Sequence, residues 1–395
     1  MNIKKNAGLY IIAITIILLS VVGYSYFYNN SNTINENQLS FRETQSENTS
    51  SDNEKTSSSE LFTERDQQQT VDTSEAVKYE VEDGKNITIL EEGTYVITGS
   101  AKNTTIIVEV EEEEKVQLVL NELTIENDNT PCIYVKKADK VFVTSMGTNQ
   151  LSVTSTFTSD GNTNTDAVIF SKEDLVLNGT GSITISSTNN GITSKDDLKI
   201  TGGEIIIDCK ADAIEANDSI SIKDGTINIT TQKDGLHAEY DEDDSVGNIY
   251  IGGGTLNIKA SDDAIHVTTT VQIDGGDITI NSREGIEGTY LQINDGTINI
   301  TATDDGMNAG SKSKKYSVGI EINGGSISIN MGKGDTDAID SNGDLYINGG
   351  TITINAQSPF DYDGTGKYTG GKIIVNGVET NAITSQMMGG RGGRR

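Results

Sequence analysis

The sequence predicts an all-β protein folded as a parallel β-helix, a solenoid in which short strands stack repeat upon repeat. Short segments with alternating apolar residues recur along the chain, and a corner containing glycine joins each pair of segments. Of the 395 residues, 42 are glycine and 2 are proline, and only 34% are hydrophobic. This composition argues against one large globular core and favours thin stacked layers.

Residues 1–28 are predicted to be a signal peptide or a membrane anchor. Lys4 and Lys5 precede a run without charges from Leu9 to Phe27, which reaches the length of about 20 residues that a membrane-crossing helix needs. A basic start followed by an apolar helix favours export of the rest of the chain, and cleavage after this helix stays open. We therefore expect an extracellular or cell-surface protein that contacts the membrane only through this segment.

Two further regions are expected to be disordered. Residues 29–77 are rich in Ser, Asn, Thr, Gln and Glu, and their composition is typical of a flexible linker. Residues 386–395 contain a tail of glycine and arginine. The folded domain is therefore predicted to cover residues 78–385.

The repeats in residues 78–385 predict which strands pair. Each repeat contains a strand, a glycine corner and a second strand, and successive repeats begin 20 to 29 residues apart. A unit this short cannot close a core by itself, so it must stack on its neighbours at about 4.8 Å. The clearest repeats begin at Leu198, Ile220, Ile249, Val271, Leu291, Ile320 and Leu345.

The two cysteines fit this pattern as small inward-facing side chains. Cys132 takes the place of an alanine in later repeats, and Cys209 continues the alternation of Ile205 and Ile207. Stacking places the two cysteines about 15 Å apart. No disulfide is expected, because a disulfide needs Cα atoms within about 7 Å.

A third element follows the second strand of each repeat and carries most of the candidate chemistry. It reads D-A-I-E at 212–215, D-G-L-H at 234–237 and D-A-I-H at 263–266. Its first position forms a predicted column, here called the first column: Asp212, Asp234, Asp263, Glu284, Asp305 and Asp337. Its fourth position forms the second column: Glu215, His237, His266, Glu287, Asn308 and Asp340.

The acidic residues of these columns predict calcium as a cofactor. Carboxylates repeated every ~5 Å repel one another, and Ca²⁺ compensates them by taking about six to eight oxygen ligands in irregular geometry. The predicted ligands are Asp212, Glu215, Asp234, Asp262, Asp263, Glu284, Glu287, Asp304, Asp305, Asp337 and Asp340. The alternative is that the aspartates cap turns by accepting hydrogen bonds from backbone amides.

Four other residues are predicted to bind the ligand: His237, His266, Asn308 and Tyr250. Two longer loops, an acidic one at 239–247 and a basic one at 310–319, follow the columns and are predicted to wall a cleft. That cleft would hold Asp263, His266, Glu284 and Glu287. Insertions on one face of a solenoid often mark its binding face, although ordinary loops also tolerate insertions.

Several blocks make the sequence resemble a known family. These are G-T-Y-V-I-T-G-S at 93–100, S-K-E-D-L at 171–175 and S-K-D-D-L at 194–198. They resemble the bacterial carbohydrate-binding domain family of cellulose- and acid-sugar-binding β-helix proteins, over roughly residues 80–380. The resemblance implies a right-handed, pectate-lyase-like β-helix, export, calcium binding and non-catalytic attachment to polysaccharide.

Three functions stay open at this point. The preferred one is that a monomer binds an acidic polysaccharide such as polygalacturonate in a calcium-dependent way. Cellulose is a second possible ligand. The second is a calcium-dependent pectate-type lyase, in which Arg283 or Lys233 would remove the proton next to the uronate carboxylate. The third is a structural surface adhesin. The net charge of −30 excludes the basic surface that a nucleic-acid partner requires.

Overall fold

The computed structural model describes residues 61–332 and 336–385. Every named element in these residues is a β-strand, which confirms the all-β prediction. These residues contain no helix that is long and apolar enough to span a membrane. The predicted segment Leu9–Phe27 and the tail at 386–395 lie outside the described residues.

The strands are short, mostly three to six residues, as the repeat length requires. In chain order they are β1 (Val77–Glu80), β2 (Ile87–Ile89), β3 (Gly93–Lys102), β4 (Ile106–Glu109), β5 (Lys115–Asn127), β6 (Ile133–Lys137), β7 (Lys140–Met146), β8 (Thr148–Val153), β9 (Ala167–Ser171), β10 (Asp174–Gly179), β11 (Ser182–Ser187), β12 (Asn190–Ser194), β13 (Asp197–Ile200), β14 (Glu204–Cys209), β15 (Ile214–Ala216), β16 (Ser219–Ile222), β17 (Thr226–Thr231), β18 (Leu236–Ala238), β19 (Asn248–Ile251), β20 (Thr255–Lys259), β21 (Asp263–Val267), β22 (Thr270–Ile273), β23 (Asp277–Ser282), β24 (Glu284–Gly288), β25 (Tyr290–Ile293), β26 (Thr297–Ala302), β27 (Met307–Ala309), β28 (Gly319–Ile322), β29 (Ser326–Met331), β30 (Ile339–Ser341), β31 (Asp344–Ile347), β32 (Thr351–Asn355), β33 (Asp361–Tyr362), β34 (Gly366–Tyr368), β35 (Lys372–Val375) and β36 (Val378–Thr380).

These strands pair in parallel in three ladders, and each repeat contributes one strand to each ladder. The first ladder runs from β7 through β10, β13 and β16 to β34. The second runs from β8 through β11, β14 and β17 to β35, where β36 adds one antiparallel pair. The third is a separate sheet that includes β12, β15, β18, β21, β24, β27 and β30. The long strand β5 pairs with both β7 and β8 and so joins the first two ladders.

The register places the predicted repeat starts opposite one another. Leu198 lies opposite Ile220, Ile220 opposite Ile249, and the same pairing continues through every predicted start to Leu345. The inward-facing Ile, Leu and Val residues are almost completely buried and form one continuous core. Burying these side chains contributes roughly 1.5–3 kcal/mol each, which stabilises repeats that could not fold alone.

Glycine is required where the first strand of a repeat turns into the second. Gly296 has φ +113°, a region that residues with a Cβ rarely adopt. A Cβ there would also lie 3.1 Å from the carbonyl oxygen of Gly276 in the preceding repeat. The stacked backbones therefore select glycine at this corner.

Both cysteines are buried and free, as predicted. Cys132 is 0% exposed, and Cys209 donates to Thr231 Oγ1 at 3.3 Å. Burial raises the pKa of Cys209 to about 11, so its thiol stays protonated and unreactive at neutral pH.

The predicted linker is wrong in its last part, because residues 61–76 are described and the segment 61–69 packs against the repeats. We call this segment the N-terminal strap. Phe62 is 2% exposed and packs beside Tyr250 with ring centroids 6.2 Å apart. Arg65 places its guanidinium carbon 4.3 Å from the ring centroid of Phe142.

Polar contacts also hold the strap in place. Asp66 is completely buried, and its carboxylate lies 3.6 Å from Lys199 Nζ and 3.9 Å from Lys140 Nζ. Gln69 donates through Nε2 to the carbonyl oxygen of Thr201 at 2.9 Å. The polar composition of the strap concealed this docking, because its partners are more than 70 residues away in sequence.

Candidate functional site

The second column lies on the strands of the third ladder, and the residues of the first column lie at or just before the start of these strands. The residues of the second column occupy equivalent positions on adjacent strands, so the predicted alignment of the third element is confirmed there. The paired residues of the second column are Glu215 with His237, His237 with His266, His266 with Glu287, Glu287 with Asn308, and Asn308 with Asp340.

The second position of the third element, directly after the first column, must be small. This explains why it is glycine or alanine in every repeat of the columns. A Cβ on Gly285 would lie 2.2 Å from the carbonyl oxygen of Gly306, and one on Gly235 would lie 2.6 Å from that of Ala264. Such close approach of successive repeats brings the side chains of each column within reach of one another.

The first column caps the backbone of the neighbouring repeat. The amide of Asp234 donates to Asp212 Oδ1 at 3.1 Å, and the amide of Asp263 donates to Asp234 Oδ1 at 3.0 Å. The amide of Asp337 donates to Asp305 Oδ1 at 3.2 Å in the same way. The capping alternative is therefore correct for one oxygen of Asp212, Asp234 and Asp305. The other oxygen of Asp212 contacts Lys233, and that of Asp234 contacts His237.

At the centre of the columns, the protein supplies cations of its own. Arg283 contacts four carboxylates: Nε lies 2.5 Å from Asp262, Nη1 lies 2.7 Å from Asp304 and 2.6 Å from Glu284, and Nη2 lies 3.2 Å from Asp263. Burial lowers the pKa of Arg283, but these carboxylates outweigh burial and raise it above its ordinary value.

Lys233 has a similar role one repeat earlier. Its Nζ lies 2.7 Å from Asp212 Oδ2. Burial lowers its pKa, and the contact with Asp212 more than offsets this effect and raises the pKa. Arg283 and Lys233 are therefore held in their charged forms.

The two histidine rings lie next to each other, tilted by 39°, between carboxylates. Their ring centroids lie 4.9 Å apart. Nδ1 of His237 lies 3.0 Å from Asp234 Oδ2, and Nδ1 of His266 lies 2.9 Å from Asp263 Oδ2 and 3.0 Å from Glu287 Oε2. Burial lowers the pKa of both rings, but the surrounding carboxylates outweigh burial and raise it.

Both predicted loops contribute one side chain to the centre. Glu239 begins the acidic loop, and its Oε2 lies 3.2 Å from His237 Nε2 and 3.5 Å from His266 Nε2. Lys312 belongs to the basic loop and places Nζ 3.0 Å from Glu287 Oε2. The two loops thus contact neighbouring residues of the second column, the histidines and Glu287.

At the C-terminal end of the columns, the carboxylates are less well compensated. No ion pair within residues 61–332 and 336–385 involves Asp305 or Asp340. Burial and the neighbouring carboxylates raise the pKa of Asp305 to about 7 and that of Asp340 to about 6. Asp361 lies opposite Asp340 on the next strand and adds a further carboxylate.

The other predicted residues divide between the columns and a different part of the fold. Asn308 donates through Nδ2 to Glu284 Oε2 at 3.1 Å, and Glu215 accepts from Asn190 and contacts Lys195 at 2.9 Å. Tyr250 does not join them: it lies on β19 in the first ladder, is 5% exposed and is covered by the strap. Its predicted role in ligand binding is therefore not supported, because its ring has no face open to a sugar.

A second acidic cluster was not identified from the sequence. Asp174, Asp196 and Asp197 place one oxygen each within 4.8 Å of one another. Burial and the charges of Asp174 and Asp197 raise the pKa of Asp196 to about 7. The signal was present in the S-K-E-D-L and S-K-D-D-L blocks, where aspartates recur one repeat apart.

Asp305, Asp337, Asp340 and Asp361 bring carboxylate oxygens to the C-terminal end, and oxygen is the donor that calcium prefers. Asp305 lies one repeat before Asp337 and Asp340, and neighbouring carboxylates raise the pKa of Asp305 and Asp340. The donor chemistry at this end therefore fits calcium. The centre fits it less well, because Arg283 and Lys233 already neutralise its carboxylates.

A family model described as "Carbohydrate-binding domain-containing protein" matches residues 83–336 and 283–385, which is more than half of the chain. The chain belongs to this carbohydrate-binding domain family. The resemblance expected from the sequence blocks is thereby confirmed. Both columns of this carbohydrate-binding domain protein lie within the match, and the strap lies outside it.

Two other proteins are similar to this carbohydrate-binding domain protein. A carbohydrate-binding domain-containing protein of Acetivibrio thermocellus is 32% identical over 128 residues, which are 31% of this chain and 45% of that protein. The chain thus matches less than half the length of that relative. A solved structure of a polysaccharide lyase-like protein from C. thermocellum, a gadolinium derivative, is 20% identical, with a TM-score of 0.34 over 77% of this chain and 95% of that chain.

Proposed function

We propose that this protein is an extracellular, calcium-dependent polysaccharide-binding protein. Membership of the carbohydrate-binding domain family supports a polysaccharide partner. The finer proposal is that the ligand is an acidic polysaccharide such as polygalacturonate and that attachment is non-catalytic. Cellulose is a weaker candidate, because the chain has no tryptophan with which to stack on flat sugar faces.

One observation carries this proposal: carboxylates gather at the C-terminal end of the columns without ion pairs to Asp305 or Asp340 among the described residues. A polyanion would be repelled by such a surface unless a cation lay between them. Asp305, Asp337 and Asp340 would hold calcium at this end. When bound, calcium supplies positive charge and open coordination positions for sugar carboxylates or hydroxyls.

The protein's own residues would orient the ligand beside this end. Asn308 lies between Glu287 and Asp340 in the second column and presents an amide among the carboxylates. Lys312 brings a positive charge next to Glu287. These two side chains offer hydrogen-bond donors to sugar hydroxyls and carboxylates.

We also propose that the domain is a right-handed parallel β-helix and acts as a monomer. Three ladders of parallel strands, each receiving one strand per repeat, support the β-helix. Export through the Leu9–Phe27 segment would place this domain outside the cell, as the basic start and apolar run of that segment favour.

The lyase alternative has less support. A general base must lose its proton near the working pH. Arg283 contacts four carboxylates and Lys233 contacts Asp212, and these contacts raise the pKa of both side chains. Neither group is suited to removing a proton, so the geometry favours binding without catalysis.

Binding of the full-length protein to immobilised polygalacturonate, cellulose and a glycan array tests the proposal. We expect saturable binding to polygalacturonate in calcium that EDTA abolishes. Asp305→Asn combined with Asp340→Asn should weaken binding at least tenfold, and Asp295→Asn, an exposed turn residue, should leave it unchanged.

Two results would overturn this assignment. Binding that survives EDTA would remove the calcium bridge, and the absence of saturable binding to any glycan would favour a structural adhesin. Release of an unsaturated product that disappears in Arg283→Ala would establish a lyase instead.

A further inference from the structure

We propose that His237, His266 and Glu239 form a binding site for a divalent transition metal such as Zn²⁺. This site goes beyond the proposed function, because it lies at the centre of the columns and uses nitrogen ligands that calcium does not favour. The chain contains two histidines, and both belong to this cluster.

The first support is the size and shape of the cluster. His237 and His266 lie opposite each other on β18 and β21, with ring centroids 4.9 Å apart. Glu239 Oε2 lies 3.2 Å from Nε2 of His237 and 3.5 Å from Nε2 of His266. In a tetrahedral zinc site with bonds of about 2.0–2.2 Å, ligand atoms are separated by about 3.3 Å. The Glu239 contacts have this spacing.

The second support comes from the carboxylates behind the rings. Nδ1 of His266 contacts Asp263 Oδ2 at 2.9 Å. Nδ1 of His237 lies 3.0 Å from Asp234 Oδ2, although it is not aligned for a hydrogen bond. Both aspartates are 3% exposed. For His266, the carboxylate of Asp263 holds the proton at Nδ1 and turns the Nε2 lone pair outward, as metal-binding histidines require.

The third support is that each ring faces carboxylates at both nitrogens. Glu239 lies at Nε2 of both rings, and aspartates lie at Nδ1. A neutral imidazole has one donor and one acceptor, so it cannot satisfy both carboxylates. Either two adjacent rings each carry a second proton, or one divalent cation replaces both of these protons. The cation avoids placing two positive rings side by side.

The cluster is also open on one side. The side chain of Glu239 is 39% exposed at the start of the acidic loop, while those of His237 and His266 are 15% and 16% exposed. Three protein ligands leave the fourth tetrahedral position to water or to an oxygen ligand from solvent. A hydroxyl or carboxylate group of a saccharide has the required chemistry.

Titration of the full-length protein with Zn²⁺ against a chromophoric chelator tests this proposal. We expect one equivalent to bind in the presence of a large excess of Ca²⁺. His237→Gln and His266→Gln should each weaken binding at least a hundredfold, and Glu239→Gln at least tenfold. Glu242→Gln is the control, because Glu242 lies in the same loop and contacts Tyr240 instead of the histidines.

Two spectroscopic measurements complete the test. Imidazole nitrogen NMR of the two histidines should show both rings changing to metal-bound Nε2 and protonated Nδ1 on addition of one equivalent of Zn²⁺. Co²⁺ should give the intense visible bands of a tetrahedral site. Unchanged imidazole signals, or Zn²⁺ binding retained in the double histidine variant, would overturn the proposal and leave a purely structural ion-pair network. Glycan binding is measured separately, so failure here does not affect the calcium proposal.

Discussion

The two columns have the same sequence pattern along their length but different electrostatics at their centre and at their C-terminal end. At the centre, Arg283 contacts four carboxylates, and Lys312 contacts Glu287. At the C-terminal end, burial and neighbouring carboxylates raise the pKa of Asp305 to about 7 and that of Asp340 to about 6.

This difference shows that an acidic column in a solenoid is not by itself a metal site. The repulsion between stacked carboxylates must be compensated, and compensation comes from side chains of the protein or from bound cations. At the centre, side chains of the protein compensate the carboxylates. We propose that bound cations compensate them at the C-terminal end.

The largest expected effect is stabilisation of the C-terminal end by calcium. Free calcium at a hundredfold excess over its Kd should raise the free energy of unfolding by about 2.7 kcal/mol, because it binds only the folded state. Asp305→Asn combined with Asp340→Asn should abolish this gain. Urea unfolding with calcium and with EDTA measures it, and Asp277→Asn, which is exposed, is the control. Equal stability of the native protein in both buffers would contradict the comparison.

The next effect comes from removing the central cation. Arg283→Met leaves four carboxylates without their shared partner, and we expect a loss of about 1–2 kcal/mol, reduced from the buried-pair value because the Arg283 side chain is 42% exposed. The variant should also gain a calcium-dependent rise in stability that the native centre lacks. Lys259→Met, at an exposed position, controls for the loss of one positive charge. No change in stability would show that the ion pairs of Arg283 do not offset the repulsion between the central carboxylates.

A smaller effect is expected at the second acidic cluster, where Asp196 has a pKa raised to about 7 by burial and by Asp174 and Asp197. The ordinary value is about 4, so the unfolded chain loses this proton first as pH rises. Stability should therefore fall between about pH 4 and pH 7. Asp196→Asn should remove that fall and gain on the order of 1 kcal/mol at pH 7.

Chemical denaturation across this pH range, in EDTA, measures the slope for Asp196. The exposed turn residue Asp224 provides the control as Asp224→Asn. A native slope that persists in Asp196→Asn would assign the pH dependence to other carboxylates.

The smallest effect is expected for Lys312, whose ammonium group contacts Glu287 at 3.0 Å with side chains 28% and 16% exposed. Lys312→Ala should cost about 0.5 kcal/mol, because partly exposed pairs contribute little and His266 also contacts Glu287. A double-mutant cycle with Glu287→Gln isolates the pair, and Lys314→Ala in the same loop is the control. A coupling energy of zero would show that Lys312 does not compensate the charge of Glu287.

Most of the fold and half of the site could be predicted from the sequence. The alternation of apolar residues and the glycine corners predicted the strands, and the aligned third element predicted which residues share a column. The partners of those residues could not be predicted. Glu239 reaches both histidines from a loop whose path depends on the packed repeats, and Tyr250 is hidden by a strap that composition alone marked as linker.

The sequence by itself determined the repeat, the register and the composition of the columns, because period-2 burial and glycine corners are local properties of each repeat. Only the tertiary structure decided which carboxylates have cations beside them. Arg283 precedes Glu284 in the chain but contacts Asp262 and Asp304 in the two adjacent repeats, which are 21 residues away on either side. Such contacts depend on stacking distances of a few ångströms, and pairing across stacked repeats is what separates a neutralised column from one that is open to metal ions.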